Sequence, residues 1–334
     1  MKVLHLPYGI GISAFAGALR TKGIDAVSCS LRRHHYSYLA DIRKDFDQHP
    51  PEKQERLREQ FFQEAMEKYD IFHFHFGETF FPDRRDLEIL KKNGKKMIVH
   101  HRGSEVRMLS VAKGMNNPYV KVKRSWPEEK VRANLEFLSR YFDKAIVNDW
   151  ELRTYTEPYY KKNYVVPHAI EIKKFTARYP TGEERPLIVH APSRRDTKGT
   201  EYVLDAVDRL KKAGEEFDFQ LVEKLPHDQA LKLYQKATIV IDQLRIGAYG
   251  HLSMEAMAMG KPVICYIRED LVDKYPAGLP IISANPDTVH QVIRKTLKHP
   301  ERWRELGRAG RRYANMYHRY ERVADRLISI YQKL

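Results

Sequence analysis

The residues best suited to chemistry lie between Asp242 and Ile267. A loop carrying Gly247 and Gly250 leads into an apolar stretch, His251 to Met259, whose composition predicts a short helix. The first N–H groups of a helix have no partner within it, and its dipole is positive at that end. The start of this helix therefore favours an anion such as a phosphate. The glycines let the backbone approach such a ligand closely. Glu255, a few residues into the helix, is a poor neighbour for phosphate but a good acceptor for two sugar hydroxyls. An acid early in a helix also offsets the dipole, and Gly260-Lys-Pro is an ordinary helix stop before a strand. The position alone leaves both roles open.

A second group lies upstream, in His190-Ala-Pro-Ser-Arg194-Arg195-Asp-Thr-Lys198-Gly199-Thr200. Three cations follow a predicted strand and precede a helix with Val203, Val207 and Leu210 on one face. Charge-assisted hydrogen bonds contribute about 1.5–3 kcal/mol each, so two or three such cations can hold a diphosphate without a metal ion. A solvated basic loop is the alternative.

Weaker candidates lie in the first half. Gly9 and Gly11 follow the first predicted strand, without the third glycine of a dinucleotide fingerprint. His73 and His75 share one strand face, but no third metal ligand accompanies them at a convincing spacing, and no metal site is expected. His100 and His101 end another strand and open into a polar loop with Glu105. Residues 31–39 and 119–126 mix cations with aromatics, which suits lipid headgroups, an anionic acceptor, or loops packed by their own rings.

These residues need a frame to position them. The 334-residue chain is 42% hydrophobic and 31% charged, a globular composition most simply arranged as two domains. No apolar run is long enough to span a bilayer, and Met1-Lys-Val-Leu-His-Leu reads as a first strand. Cys29 and Cys265 are the only cysteines, so a reducing, cytoplasmic setting is expected. The net charge of +15 is spread evenly, with 30 basic and 22 acidic residues in 1–167 and 29 and 22 beyond. That spread, without nucleic-acid motifs, points to acidic small molecules or the anionic inner face of a membrane, not to nucleic acid. Strands alternate with helices through 1–167, pause near a linker at 165–186, and alternate again to the end. This is an α/β pattern of parallel sheets covered on both faces.

The run from Gly250 to Ile264 resembles the nucleotide-sugar signature of family-4 retaining glycosyltransferases of the GT-B fold. The likeness covers about residues 186–315 well and the first domain loosely. It implies two Rossmann-like domains facing across a cleft: 1–167 on the acceptor side and 168–317 binding the donor, with helix 318–334 crossing back to the first. By the same resemblance, Gly250, His251, Leu252 and Ser253 face the donor diphosphate and Glu255 holds the ribose. Lys198, with Arg194 or Arg195, neutralises the leaving group. Gly9 and Gly11 approach the donor phosphate, and His101 (His100 in reserve) lies beside the donor sugar. The expected catalytic residues are thus His101, Arg195 and Lys198. The family's usual Glu eight positions before Glu255 is replaced here by Gly247. The implied activity is transfer from a nucleotide-sugar, a UDP-sugar ahead of a GDP- or ADP-sugar, with retention and without metal or other cofactor. The acceptor is open: a glycan, a lipid-linked sugar or a small molecule. The alternatives are a nucleotide-sugar epimerase or hydrolase on the same architecture, and a non-catalytic basic scaffold at a membrane.

Overall fold

The computed structural model describes residues 1–9, 11–33, 39–123, 125–183 and 185–334. Residues 34–38 of the first basic-aromatic stretch, and Arg124 of the second, lie outside the described residues. The chain forms two compact units, neither contiguous in sequence. One comprises Met1–Arg107, Ser125–Glu171 and Arg319–Leu334; the other comprises Met108–Arg124 and Ile172–His318.

The first unit is built on β1 (Lys2–Leu6), β2 (Asp25–Ser30), β3 (Ile42–Arg43), β4 (Ile71–His75), β5 (Lys96–His101), β6 (Lys144–Val147) and β7 (Lys162–Val165). They form a parallel sheet in the order β3-β2-β1-β4-β5-β6-β7. The chain builds outward from β1 in one direction and then, from β4, in the other. The loops after β1 and β4 therefore flank the switch point, where open parallel sheets bind ligands. Helices Ile12–Arg20 and Tyr320–Tyr331 cover one face, burying Phe15, Leu19, Val323, Leu327 and Ile330 against Val3, Ile71, Ile98 and Ile146. Gly17 admits the second of these helices: a Cβ there would stand 3.0 Å from the Tyr320 ring.

The second unit contains β8 (Leu187–His190), β9 (Asp218–Leu221), β10 (Ile239–Ile241), β11 (Val263–Ile264) and β12 (Ile281–Ile282), all parallel. Their order, β12-β11-β10-β8-β9, puts the switch point between β8 and β10. The cation loop follows β8 and the glycine loop follows β10, so both candidate segments meet at one sheet position. Helix Thr200–Lys212 buries Val203, Val207 and Leu210, the face its sequence period predicts. The predicted helix at 251–259 is His251–Ala258 and is buried nearly throughout. Helix Trp303–Tyr317 lies on it through Gly307 and Gly310; a Cβ on Gly307 would stand 2.1 Å from the Gly260 carbonyl oxygen. Arg311 donates to the carbonyls of Ala258 and Phe175, closing the C-terminal end of the buried helix. Among the described residues no helix is long and apolar enough to cross a membrane.

Candidate active site

In the second unit, β8 delivers His190 to the sheet edge, where its Nδ1 lies 2.9 Å from the Ile241 carbonyl and its Nε2 2.9 Å from Thr200 Oγ1. Burial holds this imidazole neutral, with its pKa lowered to about 4. It ties β8, β10 and the next helix together. The turn Arg195–Lys198 follows and ends at Gly199 in the left-handed region (φ +76°), packed against Leu244 and Arg245. That turn aims Lys198 back at the end of β10.

Lys198 Nζ donates to Asp242 Oδ1 (3.0 Å) and Gln243 Oε1 (2.6 Å). Asp242 Oδ2 accepts from the Gly250 N–H (3.1 Å) and the Ser253 hydroxyl (2.7 Å). One carboxylate thus joins the cation loop to the start of the buried helix. Burial by itself raises the Asp242 pKa, but the Lys198 charge and the donated hydrogen bonds outweigh it and hold the group below the usual range. Asp242 is 1% exposed and Lys198 17% exposed, so the pair is internal but its ammonium end reaches the surface. An ammonium has three protons, and two are engaged here. The third is available to a ligand, as are the first-turn N–H groups of Leu252 and Ser253, which have no acceptor within the helix.

The other two cations are also paired. Arg194 donates to Asp196 (2.8 Å), and Arg195 forms a two-pronged contact with Glu223. Both pairs lie in contact with solvent, where competition from water makes them easily exchanged. The expected cluster of three cations is therefore a set of three ion pairs, one buried and two exposed.

Glu255 is almost enclosed, and its Oε1 accepts from His227 Nε2 at 2.8 Å. Three polar residues near Gly247 in sequence, Asp242, Arg245 and Tyr249, are all engaged. Asp242 is held as described, Arg245 bonds Glu201, Tyr202 and the Tyr119 carbonyl, and Tyr249 lies 3.0 Å from His318 Nε2. Gly247 itself takes φ +85°, and a Cβ there would stand 2.2 Å from Arg268 Cγ. The Arg268 stem occupies the space a side chain at this position would need.

Sequence reasoning missed the part played by residues 108–124, which belong to this unit. Asn117 Nδ2 donates to the Arg245 and Ile246 carbonyls at 2.9 and 3.1 Å, fixing the loop before Gly247. No hydrophobic period marks that stretch, and side-chain contacts to distant backbone leave no sequence signal.

In the first unit, Gly9 (φ +122°) lies against Phe76 and Gly11 (φ +90°) beneath the Arg102 guanidinium, at the switch-point edge. Phe76 also has positive φ (60°), a costly conformation for a non-glycine residue. Its ring stacks on Tyr8, whose hydroxyl donates to Glu78 at 3.0 Å, and Arg32 donates to the same carboxylate at 2.9 Å. His101 has no exposed surface; its Nε2 lies 2.8 Å from Tyr160 Oη, and burial lowers its pKa to about 3.

His73, His75 and His100 are fully buried as well, and His5 joins them through strand pairing, since β1 sets it opposite His73. Ring nitrogens of His5, His73 and His75 lie within 4.8 Å of one another. The His73 and His75 rings, however, are parallel to within 1° at 4.5 Å. A metal takes an imidazole lone pair in the ring plane at about 2.0–2.1 Å, so a shared ion would need ring planes that converge on it. The rings are bonded to each other instead: His5 to His75 (3.2 Å), His73 to His100 (3.1 Å), His73 to Tyr331 (2.6 Å) and His100 to Asn148 (3.1 Å).

The two parallel α/β units have the GT-B architecture, as the likeness to solved structures shows. Residues 194–329 match the family model described as glycosyl transferase-like. A glycosyltransferase from Rickettsia africae superposes with a TM-score of 0.64 at 14% identity, covering 99% of this chain and 97% of that one. The sucrose-phosphate synthase of Thermosynechococcus elongatus gives 0.62 at 14% identity over 100% and 99% of the two chains. HepE of Anabaena, solved with UDP-glucose, gives 0.66 at 12% identity over the whole of both chains. At such identities the likeness is one of fold. No curated protein sequence matches the chain.

Proposed function

We propose that the protein transfers a sugar from a nucleoside-diphosphate sugar, a UDP-sugar first, to an acceptor hydroxyl, with retention and without a metal ion. The observation carrying this reading is the convergence of Lys198, the Gly250 amide and Ser253 on Asp242 at the switch point, with Glu255 farther along the same helix. Structures of similar fold hold UDP and UDP-glucose, which supports the choice of donor.

In this mechanism the diphosphate accepts hydrogen bonds from the remaining Lys198 N–H and the first-turn amides, and draws Arg194 or Arg195 from its exposed carboxylate partner. Glu255 accepts from the ribose hydroxyls. The bond from the sugar C1 to the β-phosphate oxygen breaks, and the acceptor oxygen bonds C1 on the same face. The acceptor's proton passes to the departing phosphate oxygen. Fixed cations and amides stabilise the negative charge that grows there. His101, the last residue of β5, is enclosed beside Tyr160, directly ahead of Arg102 and the loop that follows. The acceptor side is assigned to the edge carrying Tyr8, Phe76 and Glu78.

The test is a thermal-shift series with UDP, GDP, ADP and their glucose conjugates, followed by product analysis with and without acceptor sugars. A ligand at 100 times its Kd stabilises by about 2.7 kcal/mol, a readily measured shift. The expected result is stabilisation by uridine nucleotides and turnover only with acceptor. Conversion of the donor unaided identifies an epimerase or hydrolase, and no shift with any nucleotide removes the transferase reading.

A further inference from the structure

The loop from β9 to the next helix brings in a residue that the cation and glycine loops leave out. Helix His227–Lys236 begins with His227 directly after Pro226, which supplies no side-chain cap. Proline's fixed φ is compatible with the chain's entry into a helix. His227 reaches helix His251–Ala258, with Nε2 on Glu255 Oε1 at 2.8 Å. The two side chains differ sharply in setting: His227 is 51% exposed and Glu255 8%. A glutamate turns about three side-chain bonds, so an untied carboxylate must be ordered at the moment a ligand docks. Tying one oxygen beforehand removes part of that cost.

We propose that His227 is a positioning residue of the donor site, holding Glu255 by Oε1 so that the carboxylate is already turned to accept the ribose hydroxyls. This rests on the donor-site reading above. Glu255 gives the contact and His227 acts only through it. Each carboxylate oxygen has two lone pairs, so Oε1 can keep His227 and still accept from a hydroxyl. The charged groups around the pair agree with this role. The Glu255 hydrogen bond and charge, with Asp228 beside them, raise the His227 pKa against the opposing effect of burial. Tyr234, on the same helix as His227, feels Glu255 and Asp242 and is kept protonated by burial. No other cation competes for this carboxylate among the ion pairs of the described residues. The imidazole is therefore the donor set against Glu255.

The experiment is a calorimetric titration of the full chain with UDP-glucose, whose diphosphate does not titrate near neutrality. Wild type, His227→Ala, His227→Gln, Glu255→Ala and the His227→Ala/Glu255→Ala double variant are compared. H227A is expected to raise Kd about fivefold, and H227Q, which keeps an N–H donor, to return it to within about twofold of wild type. In the E255A background H227A should add nothing, because its whole effect passes through the carboxylate. An unchanged Kd in H227A overturns the proposal, as does an independent, additive effect in the double variant. Tighter binding by H227A overturns it too, because His227 is then a competitor for Glu255. Failure of the wild type to bind UDP-glucose, UDP or any other nucleotide removes the donor-site reading itself, and this inference with it.

Discussion

The carboxyl edges of the two sheets hold polar residues under opposite regimes. In the first unit five histidines, His5, His73, His75, His100 and His101, have no exposed surface and are kept neutral by burial. In the second unit Lys198, Asp242, Arg194, Arg195 and Glu223 are arranged as ion pairs, two of them open to solvent. Histidine is the residue type most readily taken for a catalyst, and here all five are enclosed. In the proposed mechanism the charge traded to the ligand comes from the exposed pairs, while the internal pair keeps its place.

The most disruptive way to test this contrast is to remove the internal cation. Lys198→Met leaves the Asp242 carboxylate buried without its ammonium, a loss of about 3–5 kcal/mol for a broken buried pair. Turnover should fall by at least two orders of magnitude. Adding Asp242→Asn to Lys198→Met should recover most of the thermal stability while transfer stays lost. Recovery of turnover in the double variant would make the pair merely structural.

Acidification should strike the other edge. The folded pKa of His5 is about 3, against 6.5 for the free group. Below 6.5 the unfolded chain takes up protons that the folded cluster refuses. The stability owed to neutral histidines is therefore complete above pH 6.5 and declines as pH falls toward the folded values. Pulse-labelling hydrogen exchange between pH 8 and 5 should show β1, β4 and β5 losing protection before β10. Simultaneous loss in both units would contradict the contrast.

The smallest effect is expected at the exposed arginines. Arg194→Ala and Arg195→Ala should leave the melting temperature within about a degree, since exposed pairs contribute little. One of the two should raise the Kd for UDP-glucose severalfold and the other scarcely at all, which a titration of both variants resolves.

Much of the fold is legible in the sequence because hydrophobic period reports burial. The apolar face of helix Thr200–Lys212 and the continuous apolar run of helix His251–Ala258 both show it. Strands β3 and β7 are the edges of their sheet, where only one side is paired and the composition is polar, so no apolar run announces them. At the site, residue types and loop positions are legible, but pairing is not. Asp242 stands in the sequence as a strand end, and only folding shows that it takes Lys198, Gly250 and Ser253 at once. The histidines were harder still, because strand register brings His5 to His73 across 68 positions of sequence.

The path of the backbone carries a further lesson for making this protein. Residues 319–334 belong with the first unit and Tyr331 bonds His73 at its centre. During synthesis, then, the earliest-made sheet must wait for some of the latest residues before its histidine stack has a lid. A shortened clone ending before residue 319 should yield an insoluble product, and no single cut in the gene can separate one unit intact from the other.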